Sequence, residues 1–318
     1  MPTIARALLS ETIDYAGLFP PAELPMDEAF RRFLAHRTGD DGWLLARFVC
    51  PAARLGELRP LVEAAGEAGG PIRLAVLGAG GDDPPALAEA MERDLDAIAS
   101  FGRGLVAAAP VEVFEVKLPG QGSFGETVDF VCDRLEDLGA RPPEVFFEAP
   151  LLGDWRRPVE RAARALAAVH RVAPHRRVGL KIRCGGLEAA AVPSVEAVAG
   201  AIVAARNEDV RLKATQGLHH PFRHHDPELG ATVHGFLNLL AAAVLAAEHR
   251  LDRATVTAIV SEEDPAAFAI TETALRWREL EADVEAVVHR RLHAVTGFGS
   301  CSFTEPRDDL AALGWLYM

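Results

Sequence analysis

Lysine is almost missing from this chain: of thirty-three lysines and arginines only three, Lys117, Lys181 and Lys213, are lysines. Arginine serves wherever a fixed positive charge is enough. A lysine kept against that bias is a candidate for what a guanidinium cannot do, such as losing its proton and attacking a carbonyl. Cysteine is also scarce. Cys50, Cys132, Cys184 and Cys301 include no CxxC pair, which excludes a zinc ribbon or a secreted disulfide framework and makes reduced thiols the expected state. Cys50, Cys184 and Cys301 fall at expected strand ends, although free cysteine is also a common small core residue. Basic excess is lacking as well: the formal net charge is −13 at pH 7, so neither nucleic acid nor an anionic membrane surface is an expected partner. No apolar run approaches the ~20 residues of a membrane span, and no signal-peptide pattern opens the chain, so a cytoplasmic protein is expected. Serine- and glycine-rich linkers, low-complexity tracts and short repeats are missing too. Nothing in the composition fixes an oligomeric state, and a homo-oligomer remains open.

What is present is ordinary for a globular protein with a sizeable core: 318 residues, 49% apolar and 25% charged. Eight β-rich runs, at 12–19, 44–50, 72–78, 111–118, 144–149, 178–183, 209–215 and 297–303, alternate with amphipathic stretches. Those near 26–37, 53–68, 84–103, 124–139, 155–172 and 193–206 read as helices, several introduced by Pro, Asp or Ser. This alternation predicts parallel βα units closing into one (β/α)8 TIM barrel over residues 1–318. Before the last strand comes an excursion over 217–296, read as helices near 230–249, 264–275 and 277–293. It is expected to elaborate the connection between strands 7 and 8 on the catalytic face.

Barrel strands show alternate side chains to the helices and to the interior. In 178–183 the apolar Leu180 and Ile182 take the outer side, which turns Lys181 and Arg183 inward. The same alternation turns Arg211, Lys213 and Thr215 inward in strand 7, Glu115 and Lys117 in strand 4, Phe146 and Glu148 in strand 5, and Asp14 in strand 1. All three lysines are therefore expected on inner faces near strand carboxyl ends, where barrel enzymes keep their chemistry. Arg47, Arg183 and Arg211, together with the lysines, outnumber Asp14, Glu115 and Glu148, and that surplus suggests a small anionic substrate. Lys181 and Lys213 lie on neighbouring strands. Repulsion between two ammonium groups is expected to ease the proton off one of them, giving an amine that captures a carbonyl as a Schiff base. Glu115 or Glu148 is placed to move protons. No cofactor is required for that chemistry. A neutral ion-pair network without catalysis is the bland alternative.

These residues resemble the deoxyribose-phosphate aldolase type of class I aldolase. Lys181-Ile-Arg-Cys-Gly185 resembles the family's Lys-Thr-Ser-Thr-Gly, and Lys213-Ala-Thr-Gln-Gly217 its Lys-Pro-Ala-Gly-Gly. Ile13-Asp14 with Leu18-Phe19-Pro20 is similar to its opening strand, and Val49-Cys50-Pro51 to its second. Glu115 falls where the family has a strand-4 aspartate, and Glu148 where it has a strand-5 glutamate. The likeness covers residues 11–217 loosely and returns at Phe298-Gly299-Ser300. It implies a Schiff-base role for Lys181, a pKa-lowering role for Lys213 and a proton shuttle at Glu115. Ile182, Arg183 and Cys184 depart from the family's small hydroxyl residues, and the 217–296 excursion is foreign to it.

Two further constellations stand out. Gly217-Leu-His-His-Pro-Phe-Arg-His-His-Asp226 places His219, His220, His224 and His225 directly after strand 7, with His234 a little further on. Its spacing matches no metalloenzyme motif, so no metal ligand is assigned; contact of His219 and His220 with substrate, or a polar loop, are the readings kept beside it. Gly185, Gly186, Gly299 and Ser300 offer backbone N–H groups to an anion at the rim, although glycine turns after strands are common. Gly78-Ala-Gly-Gly81 completes no nucleotide-loop pattern and reads as a plain turn. The sequence thus suggests a Schiff-base lyase for a small anionic carbonyl compound. A metal-dependent barrel hydrolase or isomerase using the His219–His225 loop, and a non-catalytic anion-binding barrel, are the competing readings.

Overall fold

The computed structural model describes residues 3–66, 69–139 and 142–316. Eight parallel strands close a barrel in the order β1, β13, β7, β6, β5, β4, β3, β2. They are β1 (Ile13–Tyr15), β2 (Leu45–Pro51), β3 (Leu74–Leu77), β4 (Val111–Lys117), β5 (Glu144–Glu148), β6 (Val178–Arg183), β7 (Arg211–Thr215) and β13 (Val295–Ser300). Each is short and bounded by turn residues. Helices α2 (Met26–Thr38), α3 (Leu55–Ala65), α4 (Pro84–Gly102), α5 (Phe124–Glu136), α6 (Arg156–Val172) and α7 (Val195–Asn207) make the crossovers, with α1 (Ile4–Leu9) before the first strand. The starts of α4, α5 and α7 are fixed by Asp83, Ser123 and Ser194, whose side chains accept from the N–H three residues on. Such caps satisfy donors that the first helical turn leaves free.

Between β7 and β13 the chain is more β-rich than its alanine content suggests. A hairpin of β8 (His224–Asp226) and β9 (Ala231–Val233) precedes α8 (Phe236–His249) and α9 (Arg253–Ser261). The helix expected at 264–275 is instead the first part of an antiparallel sheet, β10 (Phe268–Ile270), β11 (Ala274–Trp277) and β12 (Leu280–Asp283), and α10 is confined to Val284–His293. Phe268 and Ile270, and Leu275 and Trp277, recur at a spacing of two and are buried, so strand periodicity wins over helix propensity here. This sheet packs on α8 and α10. Finally α11 (Thr304–Ala312) follows β13.

Contrary to the sequence expectation, Ala189–Asn207 is long and apolar enough by composition to cross a membrane. In the fold it contains α7, buried along Ala197–Ala205 and packed against β6, β7, α6, α8 and α9. A helix covered on nearly every side is apolar on nearly every side.

One contact closes the barrel tightly. Gly297 of β13 has φ +151, and a Cβ there would fall on the carbonyl oxygen of Thr12, just before β1. Arg291, fully buried, donates from α10 to the carbonyls of Leu8 and Val295 and binds the same seam from behind. Gly297→Ala is expected to cost about 2–4 kcal/mol, combining backbone strain with overpacking. Urea unfolding checks it: the midpoint should fall at unchanged slope, and an unmoved midpoint would mean that the seam tolerates a side chain.

Candidate active site

Strand register dictates what meets inside. Lys181 on β6 is paired with Glu148 on β5 and with Lys213 on β7, so these three side chains share one level of the barrel. Glu115, from β4, registers with Phe146, one inward position before Glu148, and its side chain reaches both amines. Its carboxylate takes Lys181 Nζ at 2.7 Å on one oxygen and Lys213 Nζ at 2.5 Å on the other. Lys181 also pairs with Glu148 at 3.0 Å, and Lys213 with Asp14 of β1. All five residues are buried, none more than 8% exposed. Beneath them lies an apolar layer of Val49, Ala75, Val113 and Phe146, with the Phe146 ring 5.7 Å from the Lys213 amine.

Five buried charges must satisfy one another, because each alone would carry a desolvation penalty of several kcal/mol. Burial by itself would push the Glu115 carboxyl up, but the two ammonium groups hold it at about 2. Burial alone would push the Lys181 amine down. Glu115 and Glu148 more than reverse that, and the amine titrates above an ordinary lysine. That direction is opposite to the lowering by Lys213 that the resemblance implies: the Glu115 carboxylate stands between the two amines and binds both. Two acceptor atoms in the network, Asp14 Oδ1 and Glu115 Oε1, have no well-aligned donor among the described residues.

The remaining predicted residues divide between the two ends of the barrel. Lys117 pairs in register with Glu148 but is the last residue of β4 and is exposed, so, contrary to the expectation, it does not join the other two lysines. Arg183, at the end of β6, is 53% exposed and reaches back to Glu148 at 3.1 Å. Arg47 sits at the opposite end. It approaches Asp14 at 3.5 Å from below, pairs with Glu112 at 3.0 Å, and lines cavities of about 730 and 310 Å³ at the amino ends of the strands. Arg211 is likewise low, paired with buried Glu144 at 2.6 Å. The cationic surplus counted from the sequence is thus smaller than it looked, because Glu112 and Glu144 were not in the count. Glu144 was findable, since it shares the inward alternation of Phe146 and Glu148.

Gly185 faces Gly217 across the loops after β6 and β7, and a Cβ on it would lie 2.8 Å from the Gly217 Cα. Gly186 similarly abuts Ala191, while a Cβ on Gly299 would meet the Thr215 hydroxyl at 2.9 Å. Close packing explains all three glycines. Ser300 is buried and accepts from the Ser302 N–H. The histidines take different partners: His219 pairs with Glu305 and His220 with Asp309, each at 2.7 Å, His224 bonds the Phe222 carbonyl and meets the His220 ring edge-on at 4.8 Å, and His225 is exposed. His234 is buried on the Pro193 carbonyl, and burial pushes its pKa down to about 4. Among the described residues no three His, Cys, Asp or Glu side chains converge to hold a metal ion. Glu305 and Asp309, one turn apart on α11, gave no local signal of their partners.

No family model matches the sequence, and no curated protein matches it. Among solved structures the chain is similar to the tetrameric deoxyribose phosphate aldolase of Aeropyrum pernix, with TM-score 0.47 and 12% identity over 98% of this chain and 97% of that one. It is also similar to D-psicose 3-epimerase in the presence of D-fructose, with TM-score 0.44 and 10% identity over 95% and 97%. Cellobiohydrolase II of Humicola insolens is a more partial match, with TM-score 0.32 and 14% identity over 56% and 61%.

Proposed function

We propose that this chain is a Schiff-base carbon–carbon lyase acting on a small anionic carbonyl compound. The observation that carries the reading is the pair of buried lysines on β6 and β7 whose amines share the Glu115 carboxylate. Salt bridges placed only for stability have little reason to occupy a barrel interior, where well-packed apolar residues serve as well or better. Carbonyl chemistry does need an amine there, with a proton carrier beside it.

Lys181 is the nucleophile in this reading. Once its proton has left, the amine forms a C–N bond to the substrate carbonyl, and the oxygen departs as water. The resulting iminium accepts the electron pair of the neighbouring carbon–carbon bond as a base removes the β-hydroxyl proton, releasing an aldehyde and leaving an enamine. Protonation at carbon and hydrolysis restore the lysine. Glu115, touching both amines, carries the protons, and Glu148 holds Lys181 in place. Lys213, anchored by Asp14, keeps Glu115 ionised at rest. At the mouth Lys117 and Arg183 supply positive charge for the substrate's anionic group. The backbone after β6, at Gly185 and Gly186, the end of β13, at Gly299 and Ser300, and the imidazoles of His219 and His220 surround it.

Borohydride reduction in the presence of acetaldehyde or pyruvate tests the nucleophile. Peptide mass mapping is expected to place the reduced adduct on Lys181, with none in Lys181→Met. An adduct on neither Lys181 nor Lys213 with either probe overturns the reading, and ligands that bind but emerge unchanged would favour an anion-binding barrel. With a substrate identified, Glu115→Gln should lower kcat by about 10²–10⁴-fold.

The raised pKa of Lys181 sets a direction for pH. Trapping needs the neutral amine, so its rate should climb as pH rises toward the lysine's pKa. Glu148→Gln removes one of the two carboxylates that favour the ammonium, which lowers that pKa and moves the profile to lower pH. A profile that stays put or moves upward contradicts the assignment.

A further inference from the structure

Three side chains that the lysine network does not use meet on the rim at the carboxyl ends of β7 and β13. Cys301 immediately follows β13, and its Sγ lies 3.7 Å from Nε2 of His219, in the loop after β7. The other ring nitrogen, Nδ1, is 2.7 Å from the Glu305 carboxylate on α11. A carboxylate only accepts, so Nδ1 carries the hydrogen and Nε2 presents its lone pair to the thiol. That is the tautomer a thiol–imidazole–carboxylate relay requires.

No other cysteine has this environment. Cys50 bonds only the carbonyl of Pro51, and Cys132 and Cys184 have no hydrogen-bond partner for sulfur among the described residues. Burial pushes those three thiols up to about 12. Burial pushes Cys301 up less, to about 11: the backbone of Ala22 and its own backbone favour the thiolate, while the Glu305 carboxylate opposes it. Access follows the same gradient: Cys301 is 8% exposed, the His219 side chain 22% and that of Glu305 50%, so the relay opens outward through the imidazole.

We propose that Cys301, His219 and Glu305 form a second nucleophilic centre that accepts an acyl group from a small activated ester or thioester. The thiol proton passes to His219 Nε2 as sulfur forms a bond to the acyl carbon. The bond from that carbon to the leaving oxygen or sulfur then breaks, and His219 returns the proton to it. One S–H and one acyl–heteroatom bond are exchanged for one acyl–sulfur bond and one heteroatom–hydrogen bond, with no oxidant or reductant. Glu305 is a positioning residue, fixing the imidazole tautomer. None of the three pairs with the lysine network; His219 is shared with the proposed substrate pocket, but acylation of Cys301 is read without borohydride or a carbonyl substrate, so its failure and that of the lyase reading are distinguishable.

p-Nitrophenyl acetate is the probe, with nitrophenolate release followed in time and the acetyl group located by peptide mass mapping, without borohydride. The expected result is a burst of one acetyl per chain on Cys301, slowed about 10²-fold by His219→Gln and about tenfold by Glu305→Gln. Glu305 is solvent-exposed, so that variant does not threaten the fold. Acetylation of the other thiols or the lysines at a similar rate overturns the proposal. So does a Cys301 rate unchanged in both variants, which would describe an ordinary accessible thiol.

Discussion

The Glu115 carboxylate, held between two ammonium groups inside the barrel, is the interaction on which the site depends. It is completely enclosed and yet titrates at about 2, the reverse of what burial alone would do to it. Only the two lysines make that possible. Removing either would leave a charge in the interior without its counterpart, at a cost of about 3–5 kcal/mol. The strands themselves arrange this balance: the β5–β6–β7 register puts Glu148, Lys181 and Lys213 at one level, and β1 and β4 bring Asp14 and Glu115 to it.

The same balance constrains any reaction at Lys181. Three carboxylates face two ammonium groups, and the nearest further cations are guanidiniums, Arg47 against Asp14 from below and Arg183 against Glu148 from above. Guanidiniums do not give up protons at accessible pH, so any proton lost by an amine moves to a carboxylate, to substrate or to water. A carbonyl substrate whose oxygen takes a proton as it becomes a hydroxyl, and then leaves as water, provides a destination inside the site. On the proposed reading, the network rests as paired charges and reacts only when a new proton acceptor enters. An amine held above the ordinary lysine range is compatible with catalysis on those terms.

Much of this was legible in the chain. Alternation along 178–183 and 209–215 located Lys181 and Lys213 inside, and the alternation of parallel strands with crossover helices indicated a barrel, because both patterns are local and repeat at the strand period. Lys117 obeyed the same alternation and even pairs in register with Glu148, yet it is exposed, because parity does not say whether the last side chain of a strand is still covered. Arg47 failed because parity gives a side and not a height, and it lies at the amino ends of the strands. The 264–275 segment is strand and not helix because Phe268 and Ile270, two residues apart, are both buried in the small sheet, a burial that the short segment's composition does not reveal. The pairing of Arg47 and Arg211 with Glu112 and Glu144 depends on how far each strand extends beyond its neighbours, which no single strand encodes.

The contact of Cys301 with His219 was the least legible feature, spanning 82 positions in sequence and joining residues outside regular strands. What joins them is barrel closure. β13 inserts between β7 and β1, so the first residue beyond β13 must lie beside the loop that leaves β7. The tight Gly185–Gly217 contact pins the start of that loop against the turn after β6, limiting the directions His219 can take. Glu305 then reaches the ring from α11, whose start is fixed three residues beyond Cys301. The topology that places Lys213 inside the barrel therefore also places His219 on its rim, and β7 serves both groups through opposite requirements: a buried amine that must be neutralised, and an outward-opening imidazole that must keep one nitrogen free.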